Sequence, residues 1–112
     1  MSQLTTHILD TSKGLPAEGI SVTLFQWKND EWFHLASKHT NSDGRILNLL
    51  EKHLVLNSGS YKLCFETKPY FEKQQIKSFY PYVEIVFLIN DASHYHVPLL
   101  LNPFGYSTYR GS

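Results

Sequence analysis

The sequence predicts a mainly β protein, an antiparallel β-sandwich of eight strands with one short helix. Three observations lead there. Aromatic and β-branched residues fall in short segments, and clusters of turn residues separate those segments. The chain has 112 residues, enough for one apolar core, and no internal repeat or linker divides it, so residues 1–112 read as a single domain.

The first strand runs from Leu4 to Asp10, with Leu4, Thr6 and Ile8 on one face and Thr5, His7 and Leu9 on the other. After the loop TSKGLPAEG, the stretch ISVTLFQW alternates Ile20, Val22 and Leu24 against Ser21 and Thr23. KNDE is a polar hairpin turn and WFHLASKHT the third strand. In NSDGRILNL, Asp43-Gly44 supplies the positive-φ residue of a tight turn and leaves Arg45 at the start of a short fourth strand. LLEKHLVLNSG fits either a short helical turn or an irregular connection. SYKLCFET is the fifth strand. Pro69 then opens PYFEKQQIKS, whose early proline, Glu72 and later lysines suit one short surface helix. YVEIVFLIN, nearly continuous in apolar residues, is the sixth strand, and NDAS turns it into HYHVPLLLN, the seventh. Pro103, Phe104 and Gly105 precede YSTYRG, the eighth.

Composition narrows the function. Lys plus Arg and Asp plus Glu are both ten, giving a formal charge of zero, and no long basic run could neutralise a phosphate backbone, which argues against nucleic-acid binding. The one cysteine, Cys64, allows no internal disulfide and no thiolate zinc cluster; it reads as a small core side chain in a reduced compartment. The start MSQLTTHILD lacks the basic and apolar segments of a signal peptide, and no apolar run approaches the roughly 20 residues of a membrane helix. A cytoplasmic protein without a membrane partner is expected.

Six histidines raise the question of metal binding. His94 and His96 share a strand face at the spacing used in many zinc or copper sites, with His7 as the third candidate ligand; structural or surface roles are the alternative. His34, His39 and His53 read as solvated. His7 stands where Val or Thr would form a better strand, and read alone is a tolerated edge residue. Arg45, read alone, is an exposed hairpin arginine. There is no Gly-rich phosphate loop, no recognisable Cys/His nucleophile pair and no paired-carboxylate signature.

Taken together, LTTHILDTSKGLPAEGISVTL, TNSDGRI and YHVPLLLNPFGYSTYRGS resemble the 5-hydroxyisourate hydrolases, or transthyretin-related proteins, across essentially the whole chain. The ending Tyr109-Arg110-Gly111-Ser112 is that family's distinguishing signature, which transthyretin lacks. Asn102 and Phe104 depart from the more common Ser and Tyr, in a turn only. The resemblance implies a sandwich of transthyretin type, a homotetramer built as a dimer of dimers around a central channel, and no metal or organic cofactor. The implied activity lies in urate degradation to allantoin: water opens the six-membered ring of 5-hydroxyisourate to 2-oxo-4-hydroxy-4-carboxy-5-ureidoimidazoline. It also implies catalytic roles for His7, Arg45 and His96, and substrate binding by His7, Arg45, Tyr109, Arg110 and Ser112.

Those residue types suit the chemistry. Hydrolysing a ring amide needs a base to take a proton from water and a donor for the growing oxyanion. His7 or His96 can be the base near neutral pH, Arg45 offers a planar donor fork, and Ser112 offers a hydroxyl and, at a chain end, a carboxylate. The competing expectation is a non-catalytic transthyretin-like carrier that holds a small aromatic ligand in the tetramer channel.

Overall fold

Period-two alternation decides which side of each strand is buried, and the buried sides face one another across two sheets. The computed structural model describes residues Met1–Ser112. Its strands are β1 (Leu4–Asp10), β2 (Leu15–Pro16), β3 (Ser21–Lys28), β4 (Glu31–His39), β5 (Arg45–Ile46), β6 (Gly59–Phe65), β7 (Val83–Ile89), β8 (Tyr95–Asn102) and β9 (Gly105–Thr108), with the helix α1 (Thr67–Glu72) between β6 and β7. The first sheet has the order β2-β1-β8-β9, with β5 also pairing β1; the second has the order β4-β3-β6-β7. Leu4, Ile8, Val97, Leu99 and Leu101 from the first meet Val22, Leu24, Leu63, Phe65 and Val83 from the second in one cluster of 19 buried residues. Fully burying one such side chain contributes roughly 1.5–3 kcal/mol, so this cluster holds the sheets together.

The sandwich agrees with the sequence, and the differences are local. β1 and β8 pair in parallel, from Leu4↔Tyr95 to Asp10↔Leu101, whereas every other pairing is antiparallel. The two strands come from opposite ends of the chain, so no hairpin dictates their direction. That pairing also puts β1 inside the sheet, so His7 is not the edge residue its strand alone suggested. A ninth strand, Leu15–Pro16, lies in the expected loop against Leu9 and Asp10. Asp10, wholly buried, closes this loop by accepting hydrogen bonds from Ser12 and from the Tyr70 hydroxyl.

The helix keeps Pro69 in its first turn but starts two residues earlier and ends at Glu72 rather than running on to Ser78. Gln75 then adopts φ 59°, a left-handed conformation incompatible with a continuing helix. The KNDE turn has Asn29 and Asp30 at φ 53° and 61°, as the two-residue hairpin requires. Between Leu47 and Ser58 the chain forms turns without a helix and buries Leu49 and Leu50. The last strand stops at Thr108 rather than continuing through Gly111. Cys64 is half-buried on the outer face of the second sheet, because the alternation of β6 gives the core to Tyr61, Leu63 and Phe65.

Candidate active site

Strand register gathers the chemistry. Residues directly opposite one another across a ladder share a face, as do residues two apart along a strand. His7 lies opposite Arg45, Thr5 lies opposite His96, and His96 forms an isolated antiparallel bridge with Gly111. Thr5, His7, Arg45, His94 and His96 therefore emerge together on the outer face of the first sheet.

Gly44 makes the β5 end of this arrangement possible. It sits at φ +70°, and a Cβ there would stand 2.5 Å from the Ile8 carbonyl oxygen. The Gly44 carbonyl accepts a hydrogen bond from the Ile8 N–H at 2.8 Å, and the Asn41 side chain accepts from the N–H groups of Asp43 and Arg45. The turn is thereby pressed against β1, which delivers Arg45 beside His7.

A cavity of about 440 Å³ opens on this face, lined by Met1, Thr5, Arg45, His94, His96 and Ser112 together with Leu47. The Thr5 hydroxyl oxygen stands 2.9 Å from His94 Nε2 and 2.8 Å from His96 Nδ1. The two rings are 17° from parallel. Behind His96 the terminal segment is packed so closely that a Cβ on Gly111 would lie 2.5 Å from His96 Cδ2. The Gly111 N–H donates to the His96 carbonyl at 2.8 Å, so Ser112 follows directly into the cavity.

Both candidate bases have pKa values lowered toward the neutral imidazole. Burial pushes the His96 pKa below the usual imidazole value, and the charge of Arg45 pushes it further, as would a proton on His94 or His7. Burial and then Arg45 do the same to His7, against a smaller upward pull from the Asp43 backbone and carboxylate. Arg45 itself has no carboxylate partner within the chain, whose one ion pair is Lys62 with Glu84. A neutral imidazole can accept a proton, and an unpaired guanidinium is available to an oxyanion or a substrate oxygen.

The site residues expected from sequence are distributed unevenly. Arg45, His96 and Ser112 meet in the cavity, and His7 adjoins it opposite Arg45. Tyr109 and Arg110 line a different cavity, of about 320 Å³, with Val86, Leu88, Tyr95 and Val97. The Arg110 guanidinium lies 4.1 Å from the Tyr95 ring centre and donates to the His94 carbonyl at 3.2 Å. Arg45 is half-buried rather than an exposed hairpin residue. His34, His39 and His53 are exposed, as expected. No group of three His, Cys, Asp or Glu side chains gathers to hold a metal, so the His7, His94 and His96 triad suggested by spacing does not assemble. Cys64 is a poor nucleophile, its thiol pushed up to about 11 by burial and then by Glu66 and Glu84. Thr5 was missed: its side chain reads as a β-branched strand former, although its position two before His7 put it on the right face.

A two-sheet sandwich that presents imidazoles and an unpaired guanidinium around one cavity defines a scaffold equipped for acid–base chemistry. The chain belongs to the HIUase/Transthyretin family, which matches residues 4–111. It is 46% identical over 114 residues to the 5-hydroxyisourate hydrolase of Mus musculus, covering 99% of this chain and 96% of that one. Among solved structures it resembles Klebsiella pneumoniae 5-hydroxyisourate hydrolase, with a TM-score of 0.85, 41% identity and coverage of 97% and 98%. It also resembles sea bream transthyretin in complex with thyroxine, with a TM-score of 0.88, 34% identity and coverage of 97% and 94%. No helix is long and apolar enough to cross a membrane.

Proposed function

We propose that the protein is a 5-hydroxyisourate hydrolase, acting as a single domain over residues 1–112. The observation that carries this reading is the meeting of His96, Arg45 and Ser112 in one cavity with His7 alongside. The names of its relatives supply the substrate. His96 is the favoured base because it lines the cavity and its imidazole is held neutral. It takes a proton from water, the resulting hydroxide adds to the ring carbonyl, and Arg45 donates to the oxyanion. The ring C–N bond then breaks, His96 returns a proton to the departing nitrogen, and the new carboxylic acid loses its proton to solvent as the ureidoimidazoline carboxylate is released. His7 and Ser112 orient the substrate.

Tyr109 and Arg110 reach substrate in this scheme as walls of a channel shared between protomers of a homotetramer. The outer strands β7 and β9 each leave one edge unpaired, and Val86 and Leu88 on β7 are 60% exposed, which supports assembly. Light scattering should give the mass of four chains. A cytoplasmic location accords with the unpaired thiol of Cys64.

Freshly generated 5-hydroxyisourate should lose its absorbance faster with the protein than without it; equal rates would overturn the hydrolase reading. The likeness to transthyretin in complex with thyroxine favours a second reading, a carrier that binds a small aromatic ligand without turnover. The same assay separates the two.

A further inference from the structure

We propose that Thr5 and His94 form a proton relay for His96, the Thr5 hydroxyl passing a proton between the two imidazoles. The inference rests on the hydrolase reading, in which His96 gains and loses a proton in every turnover.

The geometry poses a counting problem. Thr5 is 1% exposed, and its hydroxyl faces a ring nitrogen on each side, His94 Nε2 at 2.9 Å and His96 Nδ1 at 2.8 Å. A hydroxyl has one hydrogen, so it donates to one of these nitrogens and accepts from the other when both rings are neutral. The two tautomers are therefore coupled. In one arrangement Thr5 donates to His94 and accepts from His96 Nδ1–H, which leaves His96 Nε2 as a bare lone pair able to deprotonate water. In the other, Thr5 donates to His96 Nδ1, and Nε2 carries the proton and cannot act as a base.

Interconversion needs no other side chain. When His96 Nε2 takes a proton from water, its Nδ1 proton passes to the Thr5 oxygen while the Thr5 hydrogen passes to His94 Nε2. One proton has moved from His96 to His94, and the hydroxyl is restored with its orientation reversed. His94 then releases its Nδ1 proton to water. The path runs in reverse when His96 Nε2–H protonates the departing ring nitrogen: His94 Nδ1 takes a proton from water, its Nε2 proton passes to the Thr5 oxygen, and the Thr5 hydrogen passes to His96 Nδ1. His94 is exposed, and besides the reaction cavity it lines a neighbouring one with Gln3, Lys52 and His53, so it reaches solvent while substrate occupies Arg45 and His96. The charge of Arg45 favours the outward transfer, because it acts on His96, whereas His94 is exposed to solvent.

Valine would fill the Thr5 position as well as threonine if the role were packing. Thr5→Val and Thr5→Ser in the full chain therefore test the relay. Thr5→Val should lower kcat about tenfold or more with KM within about twofold, and Thr5→Ser should recover most of the loss. His94→Gln should be slow in dilute buffer and recover in imidazole buffer, which can carry the proton instead. In long-range ¹H–¹⁵N spectra the ring nitrogens of both histidines should shift in Thr5→Val but not in Thr5→Ser. Wild-type kcat in Thr5→Val, equal damage from serine and valine, or ring-nitrogen signals unmoved by valine would overturn the relay. Should the wild-type protein fail to accelerate 5-hydroxyisourate decay, the hydrolase reading falls, and the ring-nitrogen spectra alone decide whether Thr5 couples the two tautomers.

Discussion

The two sheets each present an outer face carrying a cation and histidine, yet they use these groups in opposite ways. On the second sheet, Lys62 is ion-paired to Glu84 at 3.0 Å and lies 5.0 Å and 4.7 Å from the ring centres of Phe25 and Trp32. Its charge is satisfied locally, and Glu66 and Glu84 help to hold the neighbouring Cys64 thiol protonated. On the first sheet, Arg45 has no carboxylate, and its charge acts on His7 and His96. A balanced cation strengthens a face; an unbalanced one makes its neighbours reactive.

The largest test of this contrast is to remove a histidine from each face. His96→Ala should cost roughly 10²–10⁴ in turnover of 5-hydroxyisourate, the usual contribution of a positioned base, while His34→Ala stays within about twofold. Equal effects from both would erase the distinction. Arg45→Met should cost roughly 10²–10³, the range for losing a single oxyanion donor. It should also move the acid limb of the pH–rate profile. Arg45 helps to hold His96 below its reference value near 6.5, so wild-type activity should persist below pH 6.5 and fall only at more acid pH, and without Arg45 the fall should begin nearer 6.5. An acid limb unmoved in the variant would show that the guanidinium does not tune the base.

A smaller loss is expected at Gly111. Alanine there would place a methyl carbon 2.5 Å from His96 Cδ2 and 3.2 Å from Pro98 Cγ, so the ring or the terminal segment must shift. About a tenfold fall in kcat with an unchanged melting temperature is expected, because a misplaced catalytic group impairs the reaction without disturbing the core. A wild-type rate would mean that the ring position is not critical.

How much of this was legible depended on sequence distance. β1 and β3 could be read from alternating residues, β6 and β8 from short aromatic and apolar segments between turns, and Asn29-Asp30 and Gly44 from turn chemistry, because each signal lies within a few neighbouring residues. The pairing of His7 with Arg45 spans the β2–β4 region, and the parallel pairing of β1 with β8 spans nearly the whole chain, so neither leaves a local trace. Spacing offered His7 and His96 only as candidate metal ligands; their catalytic roles, and that of Arg45, entered through resemblance. Thr5 stayed hidden because a buried threonine in a strand satisfies β-propensity, and only the register reveals that its hydroxyl bridges two rings. The early end of the helix was equally unreadable, since Gln75 is not a residue type that signals a left-handed turn.

The smallest expected effect is also the most discriminating, because it reverses the sign of the comparison. Lys62→Met removes the ion pair and the contacts with Phe25 and Trp32, but Glu84, already 43% exposed, remains hydrated. The loss should be about 1 kcal/mol, a fall of about 4 °C in melting temperature, with turnover unchanged. Arg45→Met should leave the melting temperature at pH 7 the same or higher, since it removes a charge with no carboxylate partner. It should also flatten the acid response. His7 and His96 have lowered pKa values in the fold, so the unfolded chain binds their protons more readily and stability falls as pH drops below about 6.5. Without Arg45 both values rise toward the reference and that fall should shrink. Thermal melts of the two variants at pH 7 and at pH 5.5 would therefore show one that weakens the fold but keeps activity, and one that keeps the fold but loses activity. If Arg45→Met is the more destabilised of the two, Arg45 is a structural cation like Lys62, and the contrast between the faces fails.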